Sequence, residues 1–243
     1  MRASEDESID AASRASRERV FFITGGASGI GAATARRALA AGHRVFAIGR
    51  DTERLKRFLD ESGGTGRLAG RVADATDWND TQAAVHDALE RFGRLDVAFA
   101  NAGLGAAGDL ATGDPGRWRE MILTNVYGVA LTIKACLPPL IETRGRLILA
   151  GSVVGRKVVP GSLYAATKAA VMELGESVRQ QVRGTGVGVT VIVPGRVDTP
   201  FWPTPIEGGL SADDVAAAVL WAVEQPERVD VNEILVRPTG QEV

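Results

Sequence analysis

The chain has 243 residues, of which 45% are hydrophobic and 24% are charged, and its formal net charge is −2. This length and composition suit one α/β domain with a single large core, and basic residues scattered along the chain argue against a nucleic-acid-binding face. The lone cysteine, Cys136, excludes an internal disulfide, and the two histidines, His43 and His86, stand in no metal-ligand spacing, so we expect no metal site.

The N-terminal residues are polar and mix both charge signs. We expect a disordered tail over residues 1–17 and one domain over residues 18–243. The start of the chain has no apolar segment typical of a signal peptide, and no apolar run looks long enough to span a bilayer. We therefore expect a cytoplasmic protein that does not contact a membrane.

Seven short apolar or β-branched runs predict strands, and they alternate with helical patterns. The strands are RVFFIT, RVFAIG, GRLAGRV, LDVAFAN, GRLILAG, VGVTVIVP and NEILVRP, and the helices lie near residues 29–41, 51–62, 77–92, 114–137, 163–183 and 211–224. This alternation predicts a doubly wound, seven-stranded parallel sheet of the Rossmann type with helices on both faces. Asp114 and Pro115 should begin the fourth helix, Pro138 and Pro139 should end it, and Ser211 should cap the last one.

A glycine-rich loop, TGGASGIG at residues 24–31, follows the first predicted strand and opens a helix. Gly25, Gly29 and Gly31 permit a tight turn, close approach of the backbone to a pyrophosphate, and close helix–strand packing. The helix N-terminus supplies free N–H groups and the positive end of a dipole. Position between a strand and a helix favours a phosphate-binding loop over a plain turn.

Tyr164 and Lys168 lie four residues apart in SLYAATKAAV. The chain has only two tyrosines, so a Tyr-x3-Lys pair is improbable by chance. This spacing places both side chains on one helical face, where a ring–ammonium surface contact is one interpretation. With the Gly-x3-Gly-x-Gly loop, however, the pair resembles the short-chain dehydrogenase/reductase family. Further matching motifs are Asp74 in VADATD, NAG at 101–103, Asn125 in LTNVYG, Ser152 in LAGSVVG, and VPG at 193–195 with Thr199.

The resemblance runs from about residue 20 to the C-terminus and implies a nicotinamide-dependent oxidoreductase. Hydride transfer to a carbonyl needs a proton donor beside the developing alkoxide and a second hydrogen bond to that oxygen. Tyr164 fits the donor, Ser152 fits the second contact, and Lys168 would lower the tyrosine pKa and bind the nicotinamide ribose. Asn125 would hold a water that relays protons to solvent, with a structural, fully bonded amide as the alternative.

The resemblance also implies the residues that bind the cofactor. They are Gly25, Ser28, Gly29, Ile30, Gly31, Arg50, Asp74, Asn101, Ala102, Gly103, Tyr164, Lys168, Pro194, Gly195, Val197 and Thr199. Asp74 would hydrogen-bond the adenine, whereas a strand-end cap is its simpler interpretation.

The end of the second strand, FAIGRD, bears on the choice between NAD and NADP. A carboxylate there would bind the adenosine ribose, whereas an arginine would pair with a 2′-phosphate. Asp51 stands about twenty residues beyond the glycine loop, as an NAD-selecting carboxylate should. In the resembled family, however, that carboxylate occupies the last strand position, which is Gly49 here and is followed by Arg50. We interpret Asp51 as a helix N-cap and expect NADP(H), although the basic residue common in the family's glycine loop is Ser28 here.

The substrate should be a small or medium ketone or secondary alcohol. Loops at 104–107, 153–157 and 195–205 should close an apolar or aromatic pocket, in which Arg196 or Arg156 could hold an anionic group unless they are simply solvated. The ending VDVNEILVRPTGQ is similar to members of the family that act on hydroxy acids or small polar alcohols, and the family implies a homodimer or homotetramer. The alternatives are an NAD-dependent alcohol dehydrogenase and a cofactor-binding sensor without turnover.

Overall fold

The computed structural model describes residues 18–62, 64 and 66–241, so the predicted tail over residues 1–17 lies outside the described residues. Seven strands form one parallel sheet in the order β3-β2-β1-β4-β5-β6-β9. Their bounds are β1 Val20–Thr24, β2 Arg44–Gly49, β3 Leu68–Val72, β4 Val97–Ala100, β5 Arg146–Ala150, β6 Gly188–Pro194 and β9 Glu233–Val236. Two short strands, β7 Val197–Asp198 and β8 Leu210–Ser211, pair with each other. The predicted seven-stranded doubly wound sheet is confirmed.

Within the described ranges, seven α-helices cover the two faces of this sheet. They are α1 Gly29–Ala40, α2 Thr52–Ser62, α3 Trp78–Phe92, α4 Pro115–Ile122, α5 Gly128–Thr143, α6 Leu163–Gln181 and α7 Ala212–Glu224. A π-helical turn, Leu123–Tyr127, joins α4 to α5, and a 3₁₀ turn, Val153–Arg156, follows β5. The chain order of the strands reverses between β1 and β4, so ligands should bind beyond the carboxyl ends of these strands.

Alternate residues of the central strands supply two separate apolar cores. Phe21 and Ile23 of β1 point to the layer of α1, α2 and α7, whereas Phe22 points to the layer of α3, α5 and α6. A strand that is buried on both faces needs a continuous apolar run, and β1 has one in VFFIT. The sheet is therefore buried between helices and leaves the loops at its edge for chemistry.

The end of α5 differs from the sequence prediction. Pro138 and Pro139 lie inside the helix, which continues to Thr143 and ends where Arg144 adopts a left-handed conformation with φ 52°. Each proline removes one helical N–H donor, but Leu140 is fully buried against the core in the turn that follows. Packing therefore maintains a helix that local propensity would have ended. The predicted starts hold, since Asp114 accepts from the N–H groups of the first turn and Ser211 forms a capping box with Asp214.

The sequence predicts no apolar run long enough to span a bilayer, and this prediction needs a correction. Judged only by its length and composition, one helical stretch is long and apolar enough to do so. The helical stretch Pro115–Thr143 has 29 residues and a mean hydropathy of 1.4 over its most apolar window, half of which is buried. Val129, Ile133, Cys136 and Leu140 on this stretch belong to one of the two cores. Such burial is typical of the core helix of a water-soluble protein, and a single helix of this kind is weak evidence for a membrane span.

Candidate active site

The glycine loop connects β1 to α1 at the point where strand order reverses. Gly25 has a positive φ of 63°, and a side chain on Gly31 would meet the carbonyl oxygen of Gly25 and lie 2.6 Å from Asn101 Nδ2. Gly31 therefore allows the start of α1 to pack closely against the glycine loop and the end of β4, which a residue with a side chain would prevent. Ser28 precedes α1 without a side-chain capping bond, and the first turn of α1 carries no acidic residue. The N–H groups at this end of α1 therefore suit an anion such as a pyrophosphate.

The predicted NAG segment holds the end of β4 against the glycine loop. Asn101 Nδ2 donates to the carbonyl oxygen of Thr24 at 2.9 Å, and the N–H groups of Asn101 and Ala102 both donate to Thr24 Oγ1 at 3.0 Å. These bonds fix the switch point between β1 and β4. Asn101, Ala102 and Gly103 all line the cavity beyond it.

One cavity of about 290 Å³ lies between the glycine loop, β2 and β3. It is here called the adenosine-end cavity, after the part of the cofactor that the family resemblance implies there. Arg50 and Asp74 line it, and their side chains lie 3.8 Å apart. Asp74 Oδ1 accepts from both the N–H and the hydroxyl of Thr76 at 2.8 Å, so this carboxylate caps the turn after β3 as its simpler interpretation had it. Its other oxygen, Oδ2, forms the ion pair with Arg50.

The end of β2 offers room for a bulky group. A Cβ built on Gly49 meets no atom within 4 Å, so the position that an NAD-selecting carboxylate would occupy is open space beside Arg50. Asp51 Oδ1 accepts from the N–H of Arg54 at 3.0 Å, which confirms that Asp51 caps α2. Arg54, which the sequence analysis did not select, lines this cavity as well.

A second cavity of about 500 Å³ adjoins the first. It is here called the nicotinamide-end cavity, after the part of the cofactor that the family resemblance implies there. It brings together most of the predicted site residues, namely Gly25, Ser28, Gly29, Ile30, Asn101, Ala102, Gly103, Ser152, Tyr164, Lys168, Pro194, Gly195, Val197 and Thr199. Gly31 and Asn125 line neither cavity. Both lie behind the wall, where they act through packing and hydrogen bonds.

Tyr164 stands in the first turn of α6, which Ser162 caps by accepting from the N–H of Ala165 at 3.1 Å. Burial raises the pKa of Tyr164 to about 12, while a hydrogen bond with the Ser152 hydroxyl acts to lower it. Ser152 lies two residues beyond the end of β5, directly before the 3₁₀ turn, and is itself buried. The two hydroxyls are therefore hydrogen-bonded to each other, and both residues line the cavity.

Lys168 lies one helical turn after Tyr164 and is 5% exposed. Its Nζ donates to the carbonyl oxygen of Ala150 at 2.7 Å and lies 5.8 Å from the centroid of the Tyr164 ring. Burial lowers the pKa of this ammonium to about 8. A buried lysine with one carbonyl partner is costly for the fold, which favours a functional reason for its position.

Asn125 is fully buried in the π-helical turn. Its Oδ1 accepts from the N–H of Leu104 at 2.9 Å, and its Nδ2 donates to the Leu104 carbonyl at 2.9 Å and to Thr167 Oγ1 at 3.0 Å. These three bonds fit the alternative of a structural, fully bonded amide, and the relay water that the resemblance implies stays a prediction. The side chain therefore holds the loop after β4 against α6.

The loops around the nicotinamide-end cavity also contain residues that sequence reasoning missed. Arg117 and Gln241 line the cavity and were not selected from the sequence. Lys157, at the end of the predicted loop 153–157, lines it as well, whereas Arg156 in the same loop pairs with Glu233 at 2.6 Å and does not line it. Gln241 Oε1 accepts from the N–H of Arg196 at 2.9 Å. Nothing local in the sequence places a C-terminal glutamine on the loop after β6, because that contact depends on the path of the chain after β9. Across the described ranges, no group of three His, Cys, Asp or Glu side chains is arranged to hold a metal ion.

A comparison with protein families matches residues 19–207 to the short chain dehydrogenases. The chain belongs to this family. It is therefore an NAD(P)-dependent oxidoreductase of the type that acts on CH–OH groups, as the glycine loop and the Ser152–Tyr164–Lys168 set had indicated. The fold and the family predicted from the sequence are both confirmed.

Curated relatives and solved structures agree with this assignment. The chain is 35% identical over 231 residues to an uncharacterized oxidoreductase of Staphylococcus saprophyticus, covering 91% of this chain and 98% of the relative. It is 35% identical over 239 residues to sulfoacetaldehyde reductase 2 of Chromohalobacter salexigens, covering 91% and 95%. An alcohol dehydrogenase from the archaeon Thermococcus sibiricus, solved with 5-hydroxy-NADP, superimposes with a TM-score of 0.85 at 30% identity and covers 93% of this chain and 99% of its own.

Proposed function

We propose that the short chain dehydrogenase described here transfers a hydride between NADP(H) and a small or medium ketone or secondary alcohol, with Tyr164 as general acid and base. The observation that carries the proposal is the nicotinamide-end cavity. Tyr164, Ser152 and Lys168 line it, together with Gly25 and Gly29 of the glycine loop. One continuous space thus offers a cofactor site and a proton donor side by side.

A bound nicotinamide cofactor supplies or accepts the hydride. The chain's own task is to hold the substrate oxygen and to move its proton. Ser152 and Tyr164 are placed to donate hydrogen bonds to a carbonyl oxygen, and such bonds strengthen as that oxygen gains negative charge. Because burial keeps the pKa of Tyr164 at about 12, the proton is present at neutral pH and can be given to the oxygen in the reducing direction.

The oxidising direction needs Tyr164 to release that proton. Burial raises the tyrosine pKa and the hydrogen bond with Ser152 lowers it. A cation near a phenol favours the phenolate, and we propose this role for Lys168, whose Nζ lies 5.8 Å from the centroid of the Tyr164 ring. Lys168 keeps its charge below about pH 8, where its own pKa lies. We propose that Asn125 positions the loop at Leu104 and the Thr167 side chain beside Ser152, Tyr164 and Lys168. We also propose that the π-helical turn containing Asn125 holds the water that relays protons to solvent.

Three features support NADP(H) as the cofactor. Arg50 lines the adenosine-end cavity beside Asp74, and Arg54 adds a second cation there. Gly49 supplies no carboxylate at the end of β2, so nothing at that position would repel a 2′-phosphate. The similar Thermococcus sibiricus enzyme was solved with an NADP derivative.

The substrate, the assembly and the compartment are proposed on narrower grounds. Sulfoacetaldehyde reductase 2 is named for a small carbonyl substrate, and a cavity of about 500 Å³ suits compounds of that order. The helical stretch Pro115–Thr143 exposes apolar surface at Ile122, Tyr127 and Ile141, which supports a homodimer or homotetramer. Light scattering would measure the mass of the assembly. We also propose a cytoplasmic location.

Oxidation of NADPH and of NADH with a panel of aldehydes and ketones tests the proposal. We expect NADPH to be preferred and Tyr164→Phe to reduce kcat by about 10²–10⁴-fold while NADPH still binds. Tyr127→Phe is the matched control, because Tyr127 is the other tyrosine of the chain and is 47% exposed. Tight NADPH binding without Tyr164-dependent turnover would instead favour a cofactor-binding sensor.

A further inference from the structure

The lining of the nicotinamide-end cavity is strongly cationic. Five side chains in it carry a positive charge, namely Arg54, Arg117, Lys157, Lys168 and Arg196. Among the described residues that line the cavity, none is an aspartate or a glutamate. The charges therefore lack a counter-ion inside the cavity, and a cavity lined by one sign of charge attracts ligands of the opposite sign.

Three of these cations already have a partner or a task. Arg54 lies 3.5 Å from the Asp51 carboxylate and also lines the adenosine-end cavity, and Arg117 pairs with Glu120 at 2.5 Å. Lys168 belongs to the Tyr164 set. Across residues 18–62, 64 and 66–241, neither Lys157 nor Arg196 forms an ion pair.

The two remaining cations stand on the loops that surround the proton donor. Lys157 directly follows the 3₁₀ turn that begins after Ser152, and Arg196 follows the end of β6. The backbone N–H of Arg196 is held by Gln241 at 2.9 Å, so this loop has a fixed attachment. Phe201 lies in the same cavity with its ring centroid 5.7 Å from that of Tyr164.

We infer that the substrate is a small carbonyl compound, or the corresponding alcohol, that carries a carboxylate or sulfonate group bound by Lys157 and Arg196. This inference rests on the proposed function and names the class of substrate for the same site. Phe201 contacts the carbon skeleton of this substrate beside Tyr164, and Lys157 and Arg196 bind its carboxylate or sulfonate group. Charge-assisted hydrogen bonds to such an anion are about twice as strong as neutral ones.

Pairs of acids and esters test the inference, because they differ in charge and share the reacting carbonyl. The probes are succinic semialdehyde with its methyl ester, 4-oxopentanoate with its methyl ester, and 2-sulfoacetaldehyde as the sulfonate. We expect kcat/KM with NADPH to be at least about tenfold higher for the acids, and the advantage to shrink as salt screens the charges. The ratio between the sulfonate and the carboxylates shows which anion the site prefers.

Substitutions locate the selectivity. Lys157→Gln and Arg196→Gln should each raise KM for the acids by about tenfold, with kcat and the KM for the esters within about twofold of the parent. Arg156→Gln is the matched control, because Arg156 is adjacent to Lys157 in sequence but pairs with Glu233 outside the cavity. It should leave the KM of both acids and esters unchanged.

The outcomes separate the two proposals. Equal kcat/KM values for acids and esters would overturn the inference of an anionic substrate, and so would equal losses of kcat/KM for both in Lys157→Gln and Arg196→Gln. Either result would leave the proposed reductase activity unaffected. If no carbonyl is reduced although NADPH binds, the proposed function fails. The preference for an anionic ligand is then tested by titrating succinate and dimethyl succinate into the NADPH complex and following the quenching of NADPH fluorescence. The inference requires succinate to bind at least about tenfold more tightly than dimethyl succinate.

Discussion

Replacement of Lys168 by methionine should make the ligand-free protein more stable and at the same time abolish its activity. The pKa of the Lys168 ammonium falls from its usual 10.5 to about 8 because the side chain is buried. At about 1.4 kcal/mol for each pH unit, this lowering corresponds to roughly 3 kcal/mol of lost solvation. The bond to the Ala150 carbonyl, worth about 1.5–3 kcal/mol, is lost in the variant. Methionine fills a similar volume, so the free energy of unfolding of Lys168→Met should rise by about 1 kcal/mol, which raises Tm by about 2–4 °C.

The gain should depend on pH in a defined direction. Between about pH 8 and pH 10.5 the unfolded chain keeps a proton on Lys168 that the folded chain has lost, so the parent becomes more stable as pH rises. Below pH 8 both states hold the proton, and the burial cost is present in full. The difference in stability between Lys168→Met and the parent is therefore largest near pH 7 and narrows above pH 8. Burial raises the pKa of Tyr164 to about 12, and loss of a nearby cation does not lower it, so Tyr164 keeps its proton in both folded proteins up to pH 9.5 and does not enter this difference.

Thermal and urea unfolding at pH 7 and pH 9.5, with and without NADP⁺, provide the measurement. If Lys168 binds the cofactor, NADP⁺ should stabilise the parent more than the variant and so reverse their order. Lys56→Met is the control, because Lys56 is exposed on α2 and its replacement should change the free energy of unfolding by less than about 0.5 kcal/mol. A ligand-free Lys168→Met that is less stable than the parent at pH 7 would refute the reasoning.

Three further substitutions test other parts of the site. Ser152→Ala should reduce kcat by about 10²–10³-fold and move the pH profile of alcohol oxidation to higher pH, since it removes the hydrogen bond that lowers the pKa of Tyr164; an unshifted profile would contradict this role. Gly31→Ala places a Cβ against a backbone oxygen of the glycine loop, so NADPH affinity should fall at least about tenfold in a fluorescence titration, whereas Gly64→Ala, with no atom within 4 Å of its Cβ, should match the parent. Gly49→Asp introduces a carboxylate into open space at the end of β2 and should shift the NADPH/NADH ratio of kcat/KM toward NADH by at least about tenfold; an unchanged ratio would place the 2′-phosphate elsewhere.

The sequence predicts the sheet well because its strands are buried on both faces and so appear as continuous apolar runs. It fails at Pro138 and Pro139, because local propensity opposes a helix there while the burial of Leu140 supports one. Residues on irregular loops are harder still. No periodicity shows whether Arg156 or Lys157 faces the cavity, since a 3₁₀ turn and an extended residue meet at this point.

Asn125 shows how the sequence can locate a residue correctly and leave its partners unread. An amide amid apolar neighbours has to be bonded, but the sequence does not reveal that the partners are Leu104 and Thr167. Leu104 follows β4 beside the cavity, and Thr167 lies on α6 between Tyr164 and Lys168.

The position of Asn125 within a π-helical turn explains how it reaches both partners. A π turn inserts an extra residue into a helix, and such turns occur frequently at functional sites. Here the wider turn at Leu123–Tyr127 contains a fully buried amide that bonds a loop on one side and α6 on the other. Because Thr167 Oγ1 also donates to the carbonyl of Tyr164 at 2.8 Å, the chain of bonds runs from the wall of the cavity to the backbone of Tyr164. The position of Tyr164 thus depends on a residue outside the cavity, since without Asn125 both backbone groups of Leu104 would lose their side-chain partner and the buried Thr167 hydroxyl would lose one of its two hydrogen bonds.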